Sequence, residues 1–555
     1  MTMKSSLDRW LLINYSGYPF ALNSLILDNG LANLAGSLKA AGKQVEILDY
    51  ATVSMLERLT PPNLSRMLKS TWNRICPPDG STPSTWHKAL AVARLSCVEA
   101  YRTHCLKRLL HEIAMEIVVK IRRDGIEAVG FKLWNGDGIQ GSAVIARMIR
   151  KECPDVRIFG GGPQVDIFME HLFGTFDAFD AIAFGEGEDT IRYLAESGNR
   201  REMFDGIPNL LYRDDGRIRQ TETRVVSNLD DIALPVYDPD VYPTAAGSEK
   251  IRIIVIDDSR GCGNNCAFCI HPIKSTANRK MRLKSVSKLA DDIELLQRRH
   301  NVHTFRFAGS CTPYKLLNDF SAEIVRRKTE IIYASFAHVR SYGTANFETM
   351  KKAGCLALFF GVESGSQRVL DAMLKNSKVE DIAPAMRKAM DAGIYTIGSL
   401  IFPAPFDDEQ SEAQTLALMK SIRPSGLTIQ PPLIIPRTDW FNNADKYGVR
   451  FRSREKYIEM GMRWKAKNLL PVAFWAPLPV SINGRSFKRV LKKTSDFSRR
   501  CEEEGIPTGV ADDTYLMSYR AGMDPIEFRN ITRMAFFSGD ADKVRELVER
   551  INSNI

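Results

Sequence analysis

The sequence predicts an α/β chain: an open, doubly wound parallel sheet, then a partial β/α barrel, then a mostly helical segment. Three observations carry this. Short apolar runs alternate with helical patterns through the first 195 residues, a second series of six such runs begins near Ile251, and the alternation stops after position 438. Parallel strands covered on both faces read as continuous apolar runs, and each crossover needs a helix, so alternation of this kind implies parallel sheets.

The first unit spans 1–195. Residues 10–14 (WLLIN) predict a buried strand; Leu31, Leu34, Ala35 and Leu38 follow at helical spacing, and Gly42 is placed to end that helix. Residues 45–48 predict a second strand. A helical insertion occupies about 51–124, broken by the turn-rich PPDGSTPS at 77–84. Strands at 126–133 (IEAVGFKL), 156–162 (VRIFGGG) and 181–184 (AIAF), with a helix over 139–151, complete five strands of a Rossmann-like sheet. Residues 196–249 read as a linker, with a hairpin turning at Asp-Asp-Gly and the extended stretch ALPVYDPDVYP. The barrel spans 250–438, with strands IRIIVID, HTFRFAG, IIYASFAHVR, CLALFFGVE, IYTIGSLIFP and GLTIQPPLII. Its site belongs at the C-terminal ends of those strands. Residues 439–555 read as helical, with Trp440, Trp464 and Trp475 as core aromatics and GRSFKRVLKK (484–493) as a solvated basic helix face.

Composition narrows the class. In 555 residues, 44% are hydrophobic and 26% charged, as in ordinary globular proteins. No apolar run reaches the roughly 18 residues of a membrane span, and the N-terminus carries no signal-peptide pattern, so a cytoplasmic location is expected. A net charge of +10 over this length is a mild excess, and nucleic acid is not an expected partner. Ten cysteines in a chain this long do not suggest a disulfide scaffold.

Three of the ten are clustered. SRGCGNNCAFCIHP sets Cys262, Cys266 and Cys269 in a C-x3-C-x2-C array just after the first barrel strand, while Cys76, Cys97, Cys105, Cys153, Cys311, Cys355 and Cys501 are scattered singly. Thiolates are soft ligands for iron–sulfur clusters or zinc. Zinc sites usually have four protein ligands. Three thiolates on a cubane would leave one iron open; zinc completed by His271 is the competing reading.

With Phe268 before the last cysteine, this segment resembles the radical S-adenosylmethionine (SAM) enzymes over about residues 250–436. The resemblance implies a [4Fe–4S] cluster on Cys262, Cys266 and Cys269. Its open iron would chelate the amino and carboxylate groups of SAM, and electron transfer would release a 5′-deoxyadenosyl radical. GVESGS (361–366) matches a SAM-contacting segment, with Glu363 for the ribose hydroxyls and Ser364 beside it. Arg340 stands where the family often places a charged SAM contact. Gly309 and Ser310 stand where many members have Gly-Gly-Glu for the amino group, and the glutamate is absent here. Gly398, in TIGSLIFPAP, lies on the strand that borders adenine, and Phe402 replaces the usual glycine before the proline.

GGGP (160–163), then GEGEDTI, then ALPVYD, then this barrel resembles the cobalamin-binding members of the same superfamily, over residues 9–436. That resemblance implies cobalamin at the sheet edge, contacted by Trp134, Gly161, Gly162, Gly185 and Glu186. No Asp-x-His occurs in the chain, so the cobalt is expected to have no histidine ligand. The function implied is methylation of a carbon in a small-molecule or peptide substrate, with flavodoxin or ferredoxin as electron donor. A cobalamin-dependent cyclase or rearrangement enzyme is the alternative. No residue is assigned a catalytic role by the sequence.

Overall fold

The protein is described by a computed structural model that covers residues 6–75, 84–271, 281–464 and 475–555. The expected turn at 77–84 lies almost wholly outside these residues.

Strands β1 (Arg9–Asn14), β2 (Gln44–Asp49), β3 (Ala128–Lys132), β4 (Arg157–Gly161) and β5 (Ala181–Ala183) run parallel in the order 2-1-3-4-5. The apolar run of β1 is central and buried, as a strand covered on both faces must be. The hairpin read as part of the linker instead extends this sheet. Its strands β6 (Leu210–Asp214) and β7 (Arg217–Gln220) add antiparallel to β5. Leu210 and Leu211 are buried against the core, and Asp215 and Gly216 both have positive φ (45° and 77°), the geometry of a tight two-residue hairpin turn. The hairpin thereby covers an edge that a three-residue strand would leave open. The insertion is helical: Val53–Leu59, Pro62–Ile75 and the forty-residue Thr85–Asp124, ended by Gly125 at φ 61°.

The barrel strands are β8 (Ile254–Ile256), β11 (Thr304–Phe307), β12 (Ile332–Ala337), β13 (Cys355–Glu363), β14 (Tyr395–Ile401) and β15 (Gly426–Gln430), ordered 15-14-13-12-11-8 and all parallel. A short antiparallel pair, β9 (Ser259–Arg260) with β10 (Arg282–Leu283), stands at the mouth. Helix Asp512–Ala521 packs on β12, β13 and β14, where Arg306 on β11 meets Asp512 at 2.6 Å. The C-terminal region is not wholly helical. It contains a small antiparallel sheet of β16 (Val449–Phe451), β17 (Val480–Ile482) and β18 (Arg485–Ser486), too short to show a period in the sequence.

A buried ion pair ties the two units together. Lys250, 1% exposed, donates to Asp49 at 2.7 Å and to the Ala51 carbonyl at 3.0 Å, and Asn552 of the last helix donates to the Lys250 carbonyl at 2.8 Å. No helix among the described residues is long and apolar enough to cross a membrane.

Candidate active site

Strands β3, β4 and β5 of the first sheet and β8 and β11 of the barrel end at one shared cavity of about 370 Å³. Its inner end is an apolar slot lined by Trp10, Leu12, Phe131, Phe159, Ile191 and Leu194. Its rim is bare backbone at Gly161, Gly162 and Gly185, with Glu186 beside them. A Cβ at Gly161 would meet nothing nearer than Ala183 at 3.7 Å, so the missing side chain is open space for a ligand. The opposite wall is the barrel mouth: Arg260, Gly261, His271, Arg282, Ala308 and Ser310.

Ion pairs close the rim. Arg260, two residues before Cys262, reaches Glu188 at 2.5 and 3.1 Å and Asp257 at 2.8 Å; Arg282 holds Glu186 at 2.6 and 3.0 Å. The Glu186 carboxylate is therefore engaged across the joint while its residue lines the cavity. Asn33 donates to Asp257 at 2.7 Å. Burial pushes the Asp257 carboxyl up, but the Arg260 charge and hydrogen bond outweigh it and hold the carboxyl below its usual value. At the end of β3, Lys132 pairs with the buried carboxylate of Asp28 and lies 4.6 Å from the Trp134 ring, whose indole donates to Asn14 at 2.7 Å. The one histidine that lines the cavity is His271, on the barrel side.

The cysteine loop is fixed by its backbone. Ala267 donates to the Met373 carbonyl at 2.9 Å and accepts from Trp440 at 3.0 Å, and the Phe268 ring packs 5.5 Å from Trp440. Cys262, Cys266 and Cys269 are each half-buried. Burial pushes Cys266 up to about 12 and raises Cys269; a hydrogen bond with Cys311 brings Cys262 down to about 6. Among the described residues no three His, Cys, Asp or Glu are grouped to hold a single ion, and His271 shares a 2.9 Å hydrogen bond with Ser310. The expected zinc alternative has no such ligand set here.

Glu363 ends β13 at φ 65°, after a register shift at Gly361. A left-handed conformation at a non-glycine residue is costly and concentrates at functional sites. Its carboxylate accepts from Lys375 at 2.8 Å, and Lys375 is itself buried, 5.9 Å from the Phe268 ring. A Cβ at Gly361 would lie 2.7 Å from the Lys375 ammonium, so the glycine makes room for this pair. Burial favours a neutral Lys375, but the Glu363 charge wins and raises its pKa. Sequence reading missed Lys375; the only signal was a lysine twelve residues after the glutamate.

The other expected residues fall differently. β12 stops at Ala337, and Arg340 lies beyond it on a one-turn helix with its side chain exposed, so Lys375 is the buried cation at the cysteines. Ser364 is buried and caps the Ser366 amide at 3.2 Å. A Cβ at Gly398 would meet Leu427, Val362 and Met386 of the outer helix Val379–Asp391, so this glycine faces the helix layer, not the mouth. Gly309 lies where a Cβ would meet the Ser259 hydroxyl at 2.1 Å; its role is close loop packing.

Residues 256–417 match the radical SAM superfamily. An uncharacterised methyltransferase of Pyrococcus horikoshii is 25% identical over 284 residues, 50% of this chain and 61% of that protein. The chain thus spans less than two thirds of that curated relative. Among solved structures, the radical SAM methyltransferase TsrM of Kitasatospora setae, with cobalamin and a [4Fe–4S] cluster bound, aligns with a TM-score of 0.63 at 14% identity, covering 97% of this chain and 100% of TsrM. The cobalamin-dependent SAM radical enzyme OxsB aligns with a TM-score of 0.55 at 17% identity, covering 93% of this chain and 66% of OxsB. Residues 256–417 thus match a radical SAM domain, and over nearly its whole length the chain has the fold of TsrM and OxsB.

Proposed function

We propose that this protein is a cobalamin-dependent radical SAM methyltransferase that methylates a carbon of a small-molecule or peptide substrate. One observation carries the reading: a single cavity has the glycine rim of the first sheet on one wall and the cysteine loop's neighbours, Gly261, His271 and Ser310, on the other. An apolar slot behind a bare rim would suit the aromatic tail and flat ring of cobalamin, with Gly161, Gly162 and Gly185 as the backbone that would hold it. When bound, the cluster with SAM supplies a 5′-deoxyadenosyl radical, and cobalamin supplies a transferable methyl group.

The chain's own residues bind and orient. Cys262, Cys266 and Cys269 are the thiolates for three irons. Glu363 is held by Lys375 where it can receive ribose hydroxyls, and Phe268 packs against Trp440 to stiffen the loop. The Arg260–Glu188 and Arg282–Glu186 pairs fix the angle between the two cofactor walls. The electron donor we infer is a flavodoxin or ferredoxin.

The test is anaerobic. Reconstituted protein is reduced with and without cobalamin and supplied with SAM carrying a labelled methyl group. Label on the bound cobalamin, with S-adenosylhomocysteine and 5′-deoxyadenosine as products, supports the reading. Deoxyadenosine without S-adenosylhomocysteine would point to a cyclase or rearrangement enzyme, and label reaching substrate without cobalamin would overturn the proposal.

A further inference from the structure

A fourth thiol stands at the cysteine trio. Cys311, in the loop after β11, follows Ser310, whose hydroxyl shares a 2.9 Å hydrogen bond with the His271 ring two residues beyond Cys269, and its thiol interacts with that of Cys262. Its position is built, not incidental. Asp258, 0% exposed, accepts from the Gly309 amide at 2.7 Å, the Thr312 hydroxyl at 2.7 Å and the Ser259 hydroxyl at 2.9 Å. One buried carboxylate thus staples the strand end leading to Cys262 onto the loop carrying Cys311. Gly309 permits the approach, since any side chain there would strike Ser259. The Thr312 amide donates to Phe336 at 3.1 Å, and the Tyr342 hydroxyl to the Thr312 carbonyl at 2.7 Å, fixing the loop's far side. The Lys375 ammonium acts on Cys311 as it does on Cys262, Cys266 and Cys269, so all four sulfurs share one buried cation.

We propose that Cys311 is a fourth, exchangeable ligand of the cluster, covering the open iron until SAM displaces it. This rests on the cluster reading above. The loop 308–310 is where the resemblance to radical SAM enzymes puts the amino group of SAM, and here that loop has no glutamate but is followed at once by a thiol. Thiols in hydrogen-bonding contact are closer than neighbouring corner ligands of a cubane, so cluster loading must part Cys262 and Cys311. The exchange balances without an oxidant or reductant. The bond from iron to the Cys311 sulfur breaks and the thiolate takes a proton. The α-ammonium of SAM loses that proton as its nitrogen, together with its carboxylate, bonds the iron. A covered iron protects the cluster from losing that corner while no SAM is bound.

The experiment uses the full chain, reconstituted anaerobically with ⁵⁷Fe and sulfide and free of SAM. Wild type, Cys311→Ala and Cys311→Ser are treated with one equivalent of ferricyanide, and the [3Fe–4S] signal is counted by electron paramagnetic resonance. Wild type is expected to convert several-fold less of its cluster than either variant. Its Mössbauer spectrum should show four thiolate-like iron sites, one of which changes when SAM is added. Equal conversion in all three proteins, or one distinct non-thiolate iron in the SAM-free wild type, overturns the proposal and leaves the three-cysteine cluster intact. If the variants fail to load, the wild-type Mössbauer spectrum decides alone. Wild type without iron and sulfide would instead sink the cluster reading itself.

Discussion

The two walls of the shared cavity are made in opposite ways. The sheet edge works by what it lacks: Gly161, Gly162 and Gly185 leave backbone bare, and an apolar slot lies behind them. The barrel mouth works by what it holds beside its lining residues Gly261, His271 and Ser310: four cysteines, a buried Lys375–Glu363 pair and a left-handed Glu363. A large, flat cofactor rimmed by amides can be held by shape and by bare backbone, and so needs few specific side chains. A metal cluster needs donor atoms of one chemistry at fixed places, and so cannot do without them.

The largest effect expected from this contrast is total. The double variant Cys262→Ala with Cys269→Ala leaves at most two thiols, Cys266 and Cys311, and should bring bound iron and sulfide to background while cobalamin binding, followed by absorbance, persists. Simultaneous loss of both cofactors would erase the distinction between the walls. Next in size is Lys375→Met. Breaking a buried ion pair by removing one partner costs about 3–5 kcal/mol, and the double variant with Glu363→Gln should recover part of it in denaturant unfolding. On the other wall, the Cβ of Gly161→Leu enters open space, no nearer than 3.7 Å to any neighbour. It should weaken cobalamin binding by about tenfold, or roughly 1.4 kcal/mol, with iron content unchanged. The smallest effect concerns the joint. The Asp257 carboxyl is held below its usual value despite burial, because Arg260 faces it. Its contribution to stability is therefore complete above the unfolded value of about 3.9 and is lost as pH falls through the lower folded value. Asp257→Asn should lower stability equally at pH 5 and pH 7, and its difference from wild type should shrink only under stronger acid.

The same contrast explains what was legible in the sequence. The five parallel strands and six barrel strands announce themselves as apolar runs, and the cysteine trio as a spacing, because each is a local pattern. The hairpin 210–220 reads as linker in the sequence because only the sheet edge it covers reveals its place. Gly398 looked like a ligand contact because glycine is ambiguous until its bare face is known to point at Met386. Arg340 is legible in the sequence because a charge at a strand end is visible, whereas Lys375, reaching back to Glu363 over a helix, is not. Cys311 stays hidden for the same reason: it lies forty-two positions beyond Cys269, and the buried Asp258 that ties its loop to the strand end before Cys262 shows itself in the fold.

The central claim, that a cluster and cobalamin face each other across one cavity, is tested most directly by a distance. The protein, loaded with both, is reduced so that cobalt and cluster each carry an unpaired spin, and pulsed dipolar resonance measures their separation. One narrow, short distance that broadens in Glu188→Gln is the predicted result. A protein that binds both yet shows no dipolar coupling would contradict it.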